Sequence, residues 1–262
     1  MKTGLKFIKI GFSIILLLGL VLIPPAHAVE ADGTAQTLPF SQDWTDTSLI
    51  TTDADWSGVP GILGFKGDFY PDDAPTGLDP QTILTDNTTI HLLPNQTSVA
   101  IDSSGVAEFE ISDPTIALQA SNVADAPYLL INLDTSGKSD VRVTYDIRDI
   151  DSTEDNALQK VALHYRVGDT GDWTNLPEGY ISDATTGPSL ASLVTHVSVT
   201  LPDGTDNQPL VQVRIMTTNA AGVDEWIGID NIVISEPVAD VAPTVTTTSP
   251  ANSAMDVAWD AN

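Results

Sequence analysis

The sequence predicts an all-β chain folded as a sandwich, on three observations. Apolar residues alternate with polar ones at period two along much of its length. Short runs of Gly, Pro, Asp, Asn and Ser separate these stretches, and beyond residue 28 there is almost no helix signal. Many short strands spaced by turn residues belong to two packed sheets.

Residues 1–28 are expected to be a secretory signal peptide. Lys2, Lys6 and Lys9 precede an apolar run from Ile10 to Ile23, Pro24-Pro25 break it, and Ala26-His27-Ala28 fits a small-x-small cleavage site. The run is short of the ~20 residues that span a bilayer, so no membrane attachment is expected after cleavage, and the location is secreted, extracellular or at the cell surface. The chain has no cysteine, which excludes disulfides and a lipobox anchor. Stability must then come from the core, a metal or neighbouring domains. The net charge is −26, and the signal segment removes three basic residues and no acid. Such a chain repels phosphate backbones and anionic membranes and favours divalent cations.

Strand patterns succeed one another along the chain. Gly105 to Ile111 alternates, and Tyr128 to Leu133 (YLLINL) is continuously apolar, as in a strand covered on both sides. In Asp140 to Ile150, Val141, Val143, Tyr145 and Ile147 share one face, and Arg142, Thr144, Asp146 and Arg148 the other. Lys160 to Val167 repeats this with Val161, Leu163, Tyr165 and Val167 inward. Val197/Val199/Leu201 and Val211/Val213/Ile215 alternate again. Leu210 to Glu236 reads as a hairpin around an acidic turn. Three long loops are expected, at 71–94, 149–156 and 173–193, and loops of that length often carry binding. Residues 29–236 form the sandwich, 237–243 a proline-bounded linker, and 244–262 a stretch too short to bury a core of its own.

The last stretch resembles the opening of bacterial Ig-like domains of S-layer proteins, through Pro243, Val245, Pro250, Asn252, Val257, Asp260 and Asn262. The match covers the first strand or two, so 244–262 is expected to be the truncated start of such a domain. The larger part resembles the N-terminal jelly-roll module of bacterial extracellular multidomain proteins. LPFSQDW (38–44), DWSGVPGI (55–62), DPQTIL (79–84), GVAEFEI (105–111), ALHYRVGDTGDWTNLP (162–177) and DEWIGIDNI (224–232) carry the likeness. It implies a jelly-roll β-sandwich, concanavalin- or galactose-binding-like. Some such proteins carry an endonuclease/exonuclease/phosphatase domain, and the wider group often has a structural calcium.

Asp230 is the chemical clue, a carboxylate inside an apolar strand that needs a partner. If first and last strands are neighbours, Asp43 meets Asp230, and Asp224 and Glu225 add oxygens for Ca²⁺, which takes six to eight. The alternative is that Asp230 caps backbone N–H groups or faces solvent. The acidic stretch from Asp149 departs from a calcium-binding helix–loop–helix at Thr153, Glu154 and Lys160. Gly67-Asp68-Phe69-Tyr70 nearly spells a phosphodiesterase metal motif, but tyrosine stands where asparagine is needed. His91, His164 and His196 form no ligand or base pair by spacing, and no G-x-S-x-G occurs. No catalytic residue is assigned.

Trp56, Trp173 and Tyr180, with Phe65 and Tyr70, lie in or beside loops and form a candidate sugar platform. Core or loop-anchoring roles are the alternative. The expectation is a secreted, non-catalytic module, calcium-stabilised, binding polysaccharide or cell-surface glycan. Two other readings stay open: the accessory region of an extracellular nuclease or phosphatase, and a structural surface or biofilm adhesin.

Overall fold

The computed structural model describes residues 32–70, 75–150, 157–185 and 193–237. The expected signal peptide, the expected linker beyond Pro237, the stretch expected to open an Ig-like domain and residues 151–156 of the expected acidic loop lie outside the described residues.

The described residues form an all-β jelly-roll sandwich of thirteen strands: β1 (Gln36–Thr37), β2 (Phe40–Gln42), β3 (Ile62–Phe65), β4 (Leu93–Gln96), β5 (Gly105–Phe109), β6 (Thr115–Gln119), β7 (Tyr128–Asp134), β8 (Arg142–Asp149), β9 (Val161–Val167), β10 (Thr174–Ile181), β11 (Val194–Thr200), β12 (Val211–Thr217) and β13 (Ile227–Ser235). One sheet runs β1-β7-β12-β9-β10, with β3 also on β7. The other runs β11-β8-β13-β6-β5-β4, with β2 on β13.

The predicted alternation of β8 is observed. Val143, Tyr145 and Ile147 are buried, and Arg142, Thr144, Asp146 and Arg148 face outward. The apolar set meets Ile131, Leu133, Leu163, Val213 and Ile215 of the opposing sheet in one core. β7 is buried along almost its whole length, as its unbroken apolar run requires. Gly64 of β3 lacks a side chain for a packing reason: a Cβ there would lie 2.4 Å from the Trp56 ring.

Three sequence expectations are corrected. Leu210 to Glu236 is not a hairpin, because β12 and β13 belong to different sheets and the acidic turn crosses between them. Two strands of similar apolar pattern do not reveal which sheet each joins. The expected loop at 173–193 begins with β10, whose exposed Pro177 and Glu178 weaken the alternation of an edge strand. In β9, Val167 is 43% exposed, whereas Ala162, His164 and Arg166 on the other face are buried. Part of the first predicted loop, residues 77–87, covers that face.

Candidate functional site

The outer face of the β7-β12-β9 sheet carries a polar row. Arg166 Nε donates to Gln212 Oε1 (2.7 Å), and Gln212 Nε2 donates to Asn132 Oδ1 (2.7 Å). Beside it stand Arg214, His164 and Tyr128, all with 2% exposure or less. Residues 77–87 lie across this row as a strap. Arg214 Nη1 donates to Thr85 O (2.8 Å) and Nη2 to Ile83 O. Tyr128 Oη donates to Asn87 O (2.5 Å), and Lys160 Nζ to Gly77 O (2.9 Å). Asp86 accepts from Arg166 Nη1 and from Trp173 Nε1, each at 2.7 Å.

Trp173 lies against two guanidiniums, with Arg166 4.3 Å and Arg214 4.5 Å from its ring. A fully buried cation needs such compensation. Desolvation brings the Arg214 pKa down to about 10, which leaves it charged at neutral pH. The same burial, with Arg214 adjacent, lowers His164 to about 3, so it is a neutral imidazole. Its acid, Asp86, is 40% exposed at the side chain but engaged by both Arg166 and Trp173, and the network serves to hold the strap.

On the strap's outer side lies an open hollow of about 310 Å³. Phe69, Tyr70, Thr82, Ile83, Leu84, Thr85 and Asp172 line it. Tyr70 is 40% exposed, beside residues that bring hydroxyls and a carboxylate. Asp125 Oδ2 anchors the aromatic pair by accepting from the backbone N–H of Phe69 (2.7 Å) and of Tyr70 (2.5 Å). The combination of ring and polar groups on a fixed support suits a polyhydroxylated ligand.

Of the expected platform, Trp56 and Trp173 are corrected. Trp56 is fully buried and donates Nε1–H to His91 O (3.3 Å), and Trp173 is 2% exposed in the arginine network. Neither ring offers a face to solvent. Tyr180 is half-buried on β10, and Asp79 near its hydroxyl adds to desolvation in raising its pKa. It does not line the hollow. Phe65 stacks on Tyr128 at 4.8 Å. Of the aromatics considered, Tyr70 lines the hollow. Asp172 and the strap residues gave no sequence signal, since a threonine-rich loop reads the same whether it lines a site or is merely solvated.

The four expected calcium ligands do not converge. β2 does pair with β13, with Gln42 opposite Ile232, so first and last strands are neighbours. Yet Asp43 is exposed and accepts from Thr45 N and Oγ1 in a local turn. Asp230 sits at a bulge where β13 changes neighbours from β6 to β2. Its Oδ1 accepts from Asn231 N (2.7 Å) and its Oδ2 pairs with Arg148 Nη1 (2.7 Å). The partner of this carboxylate is therefore an arginine. Asp224 and Glu225 precede β13, five or more residues from Asp230 along an extended chain. Asp224 Oδ1 accepts from Ala220 N (2.8 Å), whereas both carboxylate oxygens of Glu225 are buried without a hydrogen-bond partner. Among the described residues no group of three or more His, Cys, Asp or Glu could hold a metal ion. No helix among them is long and apolar enough to cross a membrane.

No family model matches the sequence, and no curated protein matches it. Solved structures overlap about half of the chain. A non-crystalline-cellulose-specific carbohydrate-binding module shares 16% identity over 54% of this chain and 86% of its own, with a TM-score of 0.35. A xylan-binding module shares 12% over 53% and 90%, with a TM-score of 0.36. The K3 cleaved adhesin domain of Lys-gingipain from Porphyromonas gingivalis shares 16% over 48% and 75%, with a TM-score of 0.32.

Proposed function

We propose that this chain is a secreted, non-catalytic module that binds a neutral polysaccharide or cell-surface glycan in the Tyr70–Asp172 hollow, as part of a larger extracellular protein. One observation carries the reading: a half-exposed aromatic ring and polar strap residues share one open hollow, mounted on a buried arginine–tryptophan network. Pyranose rings present apolar faces and edges of hydroxyls, which ask for that pairing. The net charge of −26 disfavours anionic glycans. Affinity electrophoresis in gels containing neutral soluble polysaccharides tests it. Wild type is expected to be retarded by at least one polymer, and Tyr70→Ala and Asp172→Ala to lose the retardation while melting as wild type does. Retardation unchanged in both variants would refute the hollow as the site.

A second feature, calcium stabilisation, is favoured by the orphaned carboxylate of Glu225, which a cation would satisfy. Glu225→Gln is then expected to diminish a calcium-dependent rise in melting temperature by the share this carboxylate supplies. A chelator-insensitive wild type would reject it.

A further inference from the structure

A carboxylate pair lies directly behind the aromatic side of the hollow. Asp125 is fully buried. Its Oδ2 takes the two backbone N–H bonds of Phe69 and Tyr70, and its Oδ1 is buried with no donor. Asp68 has the same defect, since its Oδ1 is buried and unpartnered. Its Oδ2 lies 3.9 Å from Lys66 Nζ, a long contact with one cation for two acids. Burial chiefly, with the Asp68 charge adding, pushes the Asp125 carboxyl up, against the pull of the Tyr70 and Phe69 N–H groups and of Lys66.

The segments that carry the two acids are tied together. Ala126 N donates to Gly67 O at 2.9 Å, and Asn87 Nδ2 to Asp68 O at 2.7 Å. Gly67 adopts φ +68°, and a Cβ there would fall 1.8 Å from Ala126 O. The tied segments thus each carry a carboxylate with one buried, unpartnered oxygen. Such an arrangement is strongly unfavourable unless something positive is shared between them. All the unmet groups are oxygens, with no imidazole or thiolate in the pair, which selects a hard cation over zinc or copper.

We propose that Asp68 and Asp125 hold a calcium-class divalent cation through their orphaned Oδ1 atoms, with backbone carbonyls and water completing the shell. The cation fastens the Phe69–Tyr70 stretch to the Asp125 turn. The site is separate from Glu225, which lies on the connection into β13, and it stands whether or not the hollow binds glycan.

The test is thermal melting of the chelator-stripped chain across a calcium titration, in wild type, Glu225→Gln, Asp125→Asn and Asp68→Asn. At calcium one hundred times its dissociation constant, native-state binding raises the melting temperature of a chain this size by about 5–10 °C. A rise of that size from this site is expected in wild type and is expected to persist in Glu225→Gln, whereas Asp125→Asn and Asp68→Asn are each expected to lose it and keep at most the share of Glu225. The amide oxygen introduced by Asp125→Asn still accepts both N–H bonds, so the variant keeps the local fold. A rise as large as that of wild type in both aspartate variants, or no rise in wild type, would overturn the proposal. A wild type indifferent to calcium but stabilised from pH 7 to pH 5, with Asp125→Asn removing that gain, would show a shared proton in place of the cation.

Discussion

Replacing Glu108 by glutamine is expected to stabilise the protein in a pH-dependent way. Glu108 lies on β5 with 4% exposure, and one oxygen accepts from Asn95 N at 3.0 Å. Desolvation raises its pKa from 4.5 to about 7, with the Asn95 N–H opposing and Glu110 reinforcing the rise. For an acid raised on folding, the native state binds the proton more tightly than the unfolded state. Stability contributed by this group is thus fully present below about pH 4.5 and is lost as pH rises through about 7. Glutamine mimics the protonated acid and still accepts from Asn95. The variant's advantage is therefore about 3 kcal/mol at pH 8, about 2 kcal/mol at pH 6 and close to zero by pH 4. Urea unfolding of both proteins, followed by tryptophan fluorescence at these three pH values, measures the gap. Contributions from carboxylates remote from position 108 are common to both chains and cancel. A gap that does not change with pH, or one favouring glutamate at pH 8, would refute the argument.

Trp173→Ala is expected to destabilise by about 3–5 kcal/mol, because it empties a buried site and strips two guanidiniums of their aromatic partner. Urea midpoints measure this, and the same loss makes the variant unsuitable as a binding probe, unlike Tyr70→Ala. Arg148→Met leaves Asp230 without its ion-pair partner and is expected to lower stability by about 3 kcal/mol at pH 7. Acid relieves part of that loss as the desolvated carboxylate takes up a proton, so denaturation at pH 4 and pH 7 checks the direction. Gly67→Ala forces a left-handed residue into Ala126 O and is expected to lower the melting temperature and expose the Tyr70 segment to proteolysis.

Period-two patterning reached the strands whose two faces differ. β8 is the clearest case, since one face meets the core and the other meets water. It failed on β9 and β10. The strap covers the outer face of β9, so His164 and Arg166 are buried although their types suggest exposure. The aromatics show the same limit. Exposure of Trp56, Trp173 and Tyr70 depends on what covers each ring, and all three sit beside Gly, Pro or Asp in the sequence. Asp230 was legible as a carboxylate needing a partner. Its partner lies 82 positions away, on another strand.

The sequence by itself determined the features set by local alternation and composition: an all-β sandwich, no disulfide, a strongly acidic chain, and one aspartate in an apolar strand. The tertiary structure decided which strands share a sheet, which face the strap covers, and which carboxylates end up with partners. Those outcomes depend on contacts between residues tens of positions apart. Arg148 with Asp230, Arg214 with Ile83 and Asp125 with Tyr70 meet because distant strands and loops pack together, and no local pattern encodes their meeting.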